Sequence, residues 1–404
     1  MEQNHVRSIK IIGIFLLLLT IFTTPQAVQA DSVVLAKLHK LRMSKIEPID
    51  VEQKFSRYMF STDYDFSYPD AVRGIYVTGN SAGGARFESL LDLVEHSDLN
   101  AMVIDIKEDH GNLTFVPEKG SPFTDIATNY INDPKQMMKT LEEKQIYPIA
   151  RVVVFKDTNL AKARPDLSFK ENGKVWVNRR GEAFVNPFLK EVWEYNVEIA
   201  KLAARMGFKE IQFDYVRFPE GFETRDERLE YTEGTYKNSK LDNVQRRVEA
   251  VTDFVKFAKK ELAYYDVDVS VDIFGYAATI PETPGIGQNF SKIAENVDVI
   301  SSMIYPSHWG NNYFGIPMPD KEPYRLVAEY AKVENDVLGK LDNPPISRPW
   351  LQDFEAPWLY NGSPTKYGKD EVEAQIKALK ENGIDEYLLW NAGNIYTKNV
   401  DYKP

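Results

Sequence analysis

The sequence predicts an α/β fold, a single (β/α)8 TIM barrel. Three observations predict it. Eight short runs rich in Val, Ile and aromatic residues recur from residue 72 onward, with longer amphipathic runs between them. Polar and aromatic residues collect at the end of nearly every short run, as they do where barrel strands share one mouth. The 404 residues, 43% of them hydrophobic, are ample for one large core. A doubly wound sheet of eight strands is the alternative, but it would gather those residues at a single switch point.

The elements follow in order. Residues 1–30 read as a secretory signal peptide. Arg7 and Lys10 precede an apolar run from Ile11 to Phe22, and the small residues Val28 and Ala30 stand just ahead of a cut before Asp31. The run is short of the roughly 20 residues that span a bilayer. Residues 31–70 show no period and read as an N-terminal extension. The barrel is expected over 71–404. Its strands are expected at 72–77, 101–106, 147–155, 210–215, 267–274, 297–304, 346–352 and 384–390. Helices are expected between them. Val244, Val248, Val251, Val255, Ala258 and Leu262 fall on one helical face. So do Phe87, Leu90, Leu91 and Val94, then Val192, Ile199, Leu202 and Met206, then Val372, Ile376 and Leu379. Gly207 and Gly383 precede strands and suit helix C-caps. Too little chain follows the last strand for a full eighth helix, and residues 31–70 are the candidate cover for its place. The loops 156–190 and 216–240 are long enough to be functional.

Composition narrows the chemistry. The absence of cysteine excludes disulfides, thiolate zinc sites, iron–sulfur clusters and a cysteine nucleophile. A net charge of -11 argues against gripping nucleic acid or an anionic membrane face. Five scattered histidines give no metal-ligand spacing, so no metal is expected in the site and a metal-dependent deacetylase or phosphodiesterase ranks low. Export argues against nucleotide cofactors, and none is expected. No membrane insertion is expected once the signal peptide is cleaved.

In a barrel, the residues at the strand ends converge. Strand two ends on Asp105, Glu108 and Asp109; strand four on Asp214, Tyr215 and Arg217; strand five on Asp272 and Tyr276. Strand six ends on Tyr305, His308 and Trp309; strand seven on Asp353 and Glu355, with Trp358 beyond; strand eight on Trp390 and Asn391. Trp176 lies in the long third loop. Glycoside cleavage needs two carboxyl groups flanking one bond, one ionised and one protonated. Asp214 is the first candidate, because a charge inside an apolar strand is costly without a purpose. Asp272, Asp353 and Glu355 are the candidates for its partner. Tyr76, Trp176, Tyr215, Tyr276, Tyr305, Trp309, Trp358 and Trp390 offer ring faces to sugars. Asp105, Glu108, Arg217, His308 and Asn391 offer hydrogen bonds. For Asp105, Glu108 and Asp109 the expectation is structure or substrate positioning. Arg217 is expected to pair with a carboxylate, Asp214 being one choice.

Four motifs carry a resemblance. Gly74-Ile75-Tyr76-Val77-Thr78-Gly79, Ile104-Asp105-Ile106-Lys107-Glu108-Asp109, Phe213-Asp214-Tyr215-Val216-Arg217-Phe218-Pro219 and Ser301-Ser302-Met303-Ile304-Tyr305-Pro306-Ser307-His308-Trp309 resemble a bacterial family of glycoside hydrolase-like domains of unknown function. The similarity runs from about Val72 to Tyr396. It implies a (β/α)8 barrel distantly similar to α-amylase-like and α-galactosidase-like hydrolases. In such relatives a strand-four Asp is the nucleophile of a retaining mechanism, which falls on Asp214. The amylase-like group places its acid/base Glu on strand five and a further Asp on strand seven; here those strands offer Asp272 and Asp353. The expectation is therefore a secreted or envelope-bound glycoside hydrolase that cleaves a polysaccharide or oligosaccharide, with the cell envelope as one source. A carbohydrate substrate is the expected partner, and a non-catalytic carbohydrate-binding barrel is the rival.

Overall fold

Eight segments pair as parallel strands: β1 (Arg73–Val77), β2 (Ala101–Lys107), β3 (Tyr147–Val153), β4 (Glu210–Asp214), β5 (Asp268–Phe274), β6 (Val299–Met303), β7 in two pieces (Ile346–Ser347 and Trp350–Gln352) and β8 (Tyr387–Trp390). The computed structural model describes residues 60–360, 362 and 365–403. The expected signal peptide and most of the expected extension lie outside the described residues. Each strand falls within a few residues of its expected bounds. β1 pairs with β2 on one side and β8 on the other, and Trp350 pairs with both Met303 of β6 and Leu388 of β8. The sheet is thus a closed ring. β7 lapses at Pro349, which has no N–H to give the ladder.

Alternation along the strands sorts residues between two cores. Outward residues such as Ile211, Phe213, Val269 and Val271 join a large core beneath the helices. Inward residues such as Val103, Ile149, Val299 and Leu388 fill the lumen. Gly74 faces that lumen, where a Cβ would lie 2.8 Å from a Leu388 methyl. Below this apolar middle is a buried ion network. Arg348 donates from Nη1 to Glu210 and from Nε to Glu386, at 2.6 and 2.8 Å. Tyr68 accepts from Arg348 Nη2 at 2.9 Å and donates to Glu386 at 2.8 Å.

Among the described residues a main helix follows each of the first seven strands: α1 (Arg86–Glu95), α2 (Pro134–Glu143), α3 (Lys190–Met206), α4 (Asn243–Leu262), α5 (Phe290–Ala294), α6 (Pro323–Leu338) and α7 (Lys369–Glu381), with short extra turns at Gly79–Ala82 and Thr158–Ala163. Asp133 and Asp242 cap α2 and α4 by accepting the N–H groups of Gln136 and Gln245. Gly207 ends α3 in the left-handed region, as its position before a strand predicts. No eighth helix follows β8 among the described residues. The expectation that residues 31–70 cover its place is corrected for their described part. Residues 60–70 cross the floor of the barrel, where Phe60 pairs with Tyr265 and Tyr68 joins the ion network. The C-terminal stretch packs beside α7 instead: Glu373 accepts the Asp401 N–H at 2.6 Å, Lys380 donates to the Lys403 carbonyl at 3.2 Å, and Tyr387 of β8 donates to the Tyr402 carbonyl at 2.8 Å. No helix among the described residues is long and apolar enough to cross a membrane.

Candidate active site

Toward the C-terminal ends of the strands the lumen turns from apolar to charged. Register sets the arrangement. Asp105 of β2 aligns with Arg151 of β3. Phe213 of β4 aligns with Val271 of β5, so the next residues, Asp214 and Asp272, stand side by side. Arg151 is the hub. Its Nη1 donates to Asp105 at 2.7 Å, and its Nη2 to Asp109 at 2.9 Å and to Asp214 Oδ2 at 2.6 Å. Its Nε reaches the same Asp214 oxygen at 3.0 Å. The guanidinium lies 5.5 Å from the ring centres of Tyr76 and Trp390, which stack 4.0 Å apart. Burial works against its charge, but the three carboxylates outweigh burial and hold it protonated.

The carboxyls around it differ. Burial opposes the charge of Asp109, yet Arg151 and Lys156 prevail and hold it well below the usual carboxylate range. Lys156 bonds Asp109 and Glu182, at 2.9 and 2.8 Å. Asp105, which accepts the Tyr76 hydroxyl at 2.6 Å, is pushed up to about 6 by burial against the pull of Arg151.

Asp214 and Asp272 contrast most. Asp214 is filled with donors: Oδ2 accepts from Arg151, and Oδ1 accepts the Tyr215 N–H at 2.6 Å. Tyr215 holds a left-handed backbone with φ 53°, a strained state for a bulky residue that persists where the surroundings over-determine it. Asp272 Oδ1 accepts the indole N–H of Trp350 at 2.7 Å. Its Oδ2 has no hydrogen-bond partner among the described residues. Burial, and after it the charge of Asp214, push the Asp272 carboxyl well above the usual range.

The other expected residues are dispersed around the mouth and its loops. Arg217 lies between the rings of Tyr215 and Phe274, at 4.7 and 4.6 Å, and Tyr276 stacks on Phe274. Its carboxylate is Glu220 at 3.1 Å, which corrects the expected choice of Asp214; that place is taken by Arg151, which points into the lumen from a strand. Tyr305 is buried near Trp390 and Phe354, while His308 and Trp358 are exposed beside them. Several residues serve their own loops. Asp353 accepts both the N–H and the hydroxyl of Thr397, Asn391 bonds around its turn, and Glu108 accepts the N–H groups of His110 and Asn112. Trp309 packs among Tyr313, Phe314 and Tyr330, and Trp176 is buried against Phe184. Glu355 is exposed. Sequence reasoning missed Arg151 and Lys156; Trp350 was readable as a strand-seven aromatic at the mouth, but not as a partner of Asp272. Arg151 carried the signal that marked Asp214, a charge inside an apolar strand. Among the described residues no group of three or more His, Asp or Glu side chains is placed to hold a metal ion.

Residues 74–396 match the family DUF4015, described as a putative glycosyl hydrolase domain. The chain belongs to that family. This is the family that the four motifs resemble, and the DUF4015 barrel is similar to several solved structures. A hypothetical protein from Ruminiclostridium thermocellum ATCC 27405 is 30% identical, over 49% of this chain and 96% of that one, with a TM-score of 0.42. The PgaB (BpsB) glycoside hydrolase domain from Bordetella bronchiseptica is 16% identical, over 80% of this chain and 94% of that one, with a TM-score of 0.53. A β-galactosidase from Halorubrum lacusprofundi is 11% identical, over 79% of this chain and 52% of that one, with a TM-score of 0.55. The last two share the fold with the DUF4015 domain. Among curated proteins, none matches the chain in sequence.

Proposed function

We propose that this DUF4015 domain is a secreted glycoside hydrolase that cleaves a polysaccharide or oligosaccharide of the cell envelope, with Asp214 and Asp272 as its carboxyl pair. One observation carries the reading: two neighbouring buried carboxyls in opposite environments, one filled with N–H donors and the other lifted toward its neutral form. Hydrolysis of a glycosidic bond asks for that division of labour. Asp272 gives its proton to the leaving oxygen, which departs as an alcohol. Asp214 attacks the anomeric carbon and forms a glycosyl–enzyme bond. Asp272, now ionised, takes a proton from water, whose oxygen displaces Asp214 and frees the sugar. Retaining pairs stand about 5–5.5 Å apart and inverting pairs about 6.5–9.5 Å. Neighbouring strands run roughly 4.8 Å apart, so two residues side by side on β4 and β5 favour retention. The half-buried ring of Trp390 and the exposed ring of Trp358 supply stacking faces for the sugar chain. The reaction needs no organic cofactor. The leader-like residues 1–30 support export.

The test is a panel of envelope and plant polysaccharides incubated with the purified chain, with Asp214→Asn in parallel. The wild type is expected to release reducing ends, and the variant to do so at least about 10³-fold more slowly. Equal release from both proteins removes Asp214 from the mechanism. Glycan binding without release by either one makes the domain a carbohydrate-binding barrel. Export is checked separately: N-terminal sequencing of the protein recovered outside the cell is expected to begin at Asp31.

A further inference from the structure

We propose that Trp350 is a positioning residue whose indole N–H holds Asp272 by Oδ1, so that the acidic proton resides on Oδ2 and meets the leaving oxygen of the substrate. The proposal rests on the reading of Asp272 as proton donor. An indole nitrogen donates and never accepts. The Asp272 oxygen facing it at 2.7 Å is therefore an acceptor in both protonation states, and the proton is left to Oδ2. That oxygen has no hydrogen-bond partner among the described residues.

Trp350 is itself fixed. It is 1% exposed, and its ring meets Trp390 edge to face at 5.5 Å and 84°. Its backbone aligns with Met303 on one side and Leu388 on the other, where the barrel closes. The other groups facing Asp272 are Asp214 and Glu210 of β4, Arg151 of β3 and Tyr305 beyond β6. None of these four donates a hydrogen bond to it. When the Oδ2–H bond breaks and the proton passes to the leaving oxygen, the charge left on Asp272 stays bonded to the indole N–H. The contact thus fixes the direction of the donor and stabilises the form it becomes.

Nitrogen-15 labelling of tryptophan in the whole chain gives a readout that needs no substrate. The indole signal missing from Trp350→Phe is expected to move with pH along the titration of Asp272, and to stay flat in Asp272→Asn. Trp350→Phe is expected to raise the Asp272 midpoint, followed by carbon-13 on the carboxyl, by about one unit, because a donor to the ionised form is lost. On the glycan released in the panel assay, the same variant is expected to lower kcat about 10-fold or more with KM unchanged. A Trp350 indole signal that ignores the Asp272 titration overturns the proposal; if Trp350→Phe fails to fold, all six indole signals of the wild type are compared with those of Asp272→Asn, and the absence of any signal that titrates in the first and is flat in the second overturns it. An unchanged kcat in a folded Trp350→Phe overturns it too. Asp214→Asn and Asp272→Asn separate the two readings. If both still cleave glycan, the assignment of Asp214 and Asp272 as the carboxyl pair is wrong; if both are dead while the indole signal stays flat, only the role of Trp350 falls.

Discussion

Arg151 is one cation serving three carboxylates, and its removal tests what the mouth is made of. Arg151→Met leaves Asp105 and Asp214 buried without a counter-charge. A loss of about 3–5 kcal/mol is expected, read as a shift of the urea midpoint. Arg151→Lys keeps the charge but cannot spread it over several fixed donors, so an intermediate loss is expected. Asp105 makes a separate prediction. Its folded pKa, about 6, lies above the roughly 3.9 of an unfolded Asp. Its contribution to stability is then full below about pH 4 and lost as pH rises through 6, an effect of roughly 3 kcal/mol. Asp105→Asn is expected to remove that slope, which urea midpoints at pH 4 and pH 7 would show. The positions of Asp214 and Asp272 were legible because a short carboxylate in an apolar run has nowhere to go but inward. Arg151 obeyed the same rule less visibly, since a long side chain in such a run can also reach out to water. The partner of Arg217 was not legible: Glu220 lies three residues on in the same loop, and outside a helix that spacing does not fix a contact.

At the scale of elements, the strands were readable from their composition and their ends were not. Apolar runs marked all eight, but only the structure shows Pro349 splitting β7, since a single proline tells nothing of where the ladder resumes. Among the described residues no eighth helix follows β8. What packs beside α7 was not legible, because the side chains of Tyr396, Val400 and Tyr402 bury without a helical period. Gly207 was readable in both position and purpose. Its φ is 107°, and a Cβ would lie 2.4 Å from a Tyr64 ring carbon. Gly207→Ala is expected to cost about 1–3 kcal/mol, from the backbone and the clash together. Adding Tyr64→Ala should relieve the clash and leave the backbone part, measured against Tyr64→Ala alone by thermal melting.

The described barrel is a ring of strands with a charged layer at each end and an apolar layer between. The two charged layers do different work. Arg348→Met breaks the floor network and leaves Glu210 and Glu386 buried without a cation, so a loss of about 3–5 kcal/mol is expected. Because the floor lies at the opposite ends of the strands from Asp214, kcat per folded molecule should stay unchanged. The ring has a further consequence in time. Its seam joins β1 to β8, segments roughly three hundred residues apart, so closing it spends the most chain entropy and belongs late in folding. Tyr76 stands on one lip of that seam and Trp390 on the other. A half-folded chain therefore owns every acid of the mouth and still lacks the cup, and its chemistry should switch on only in the last kinetic phase.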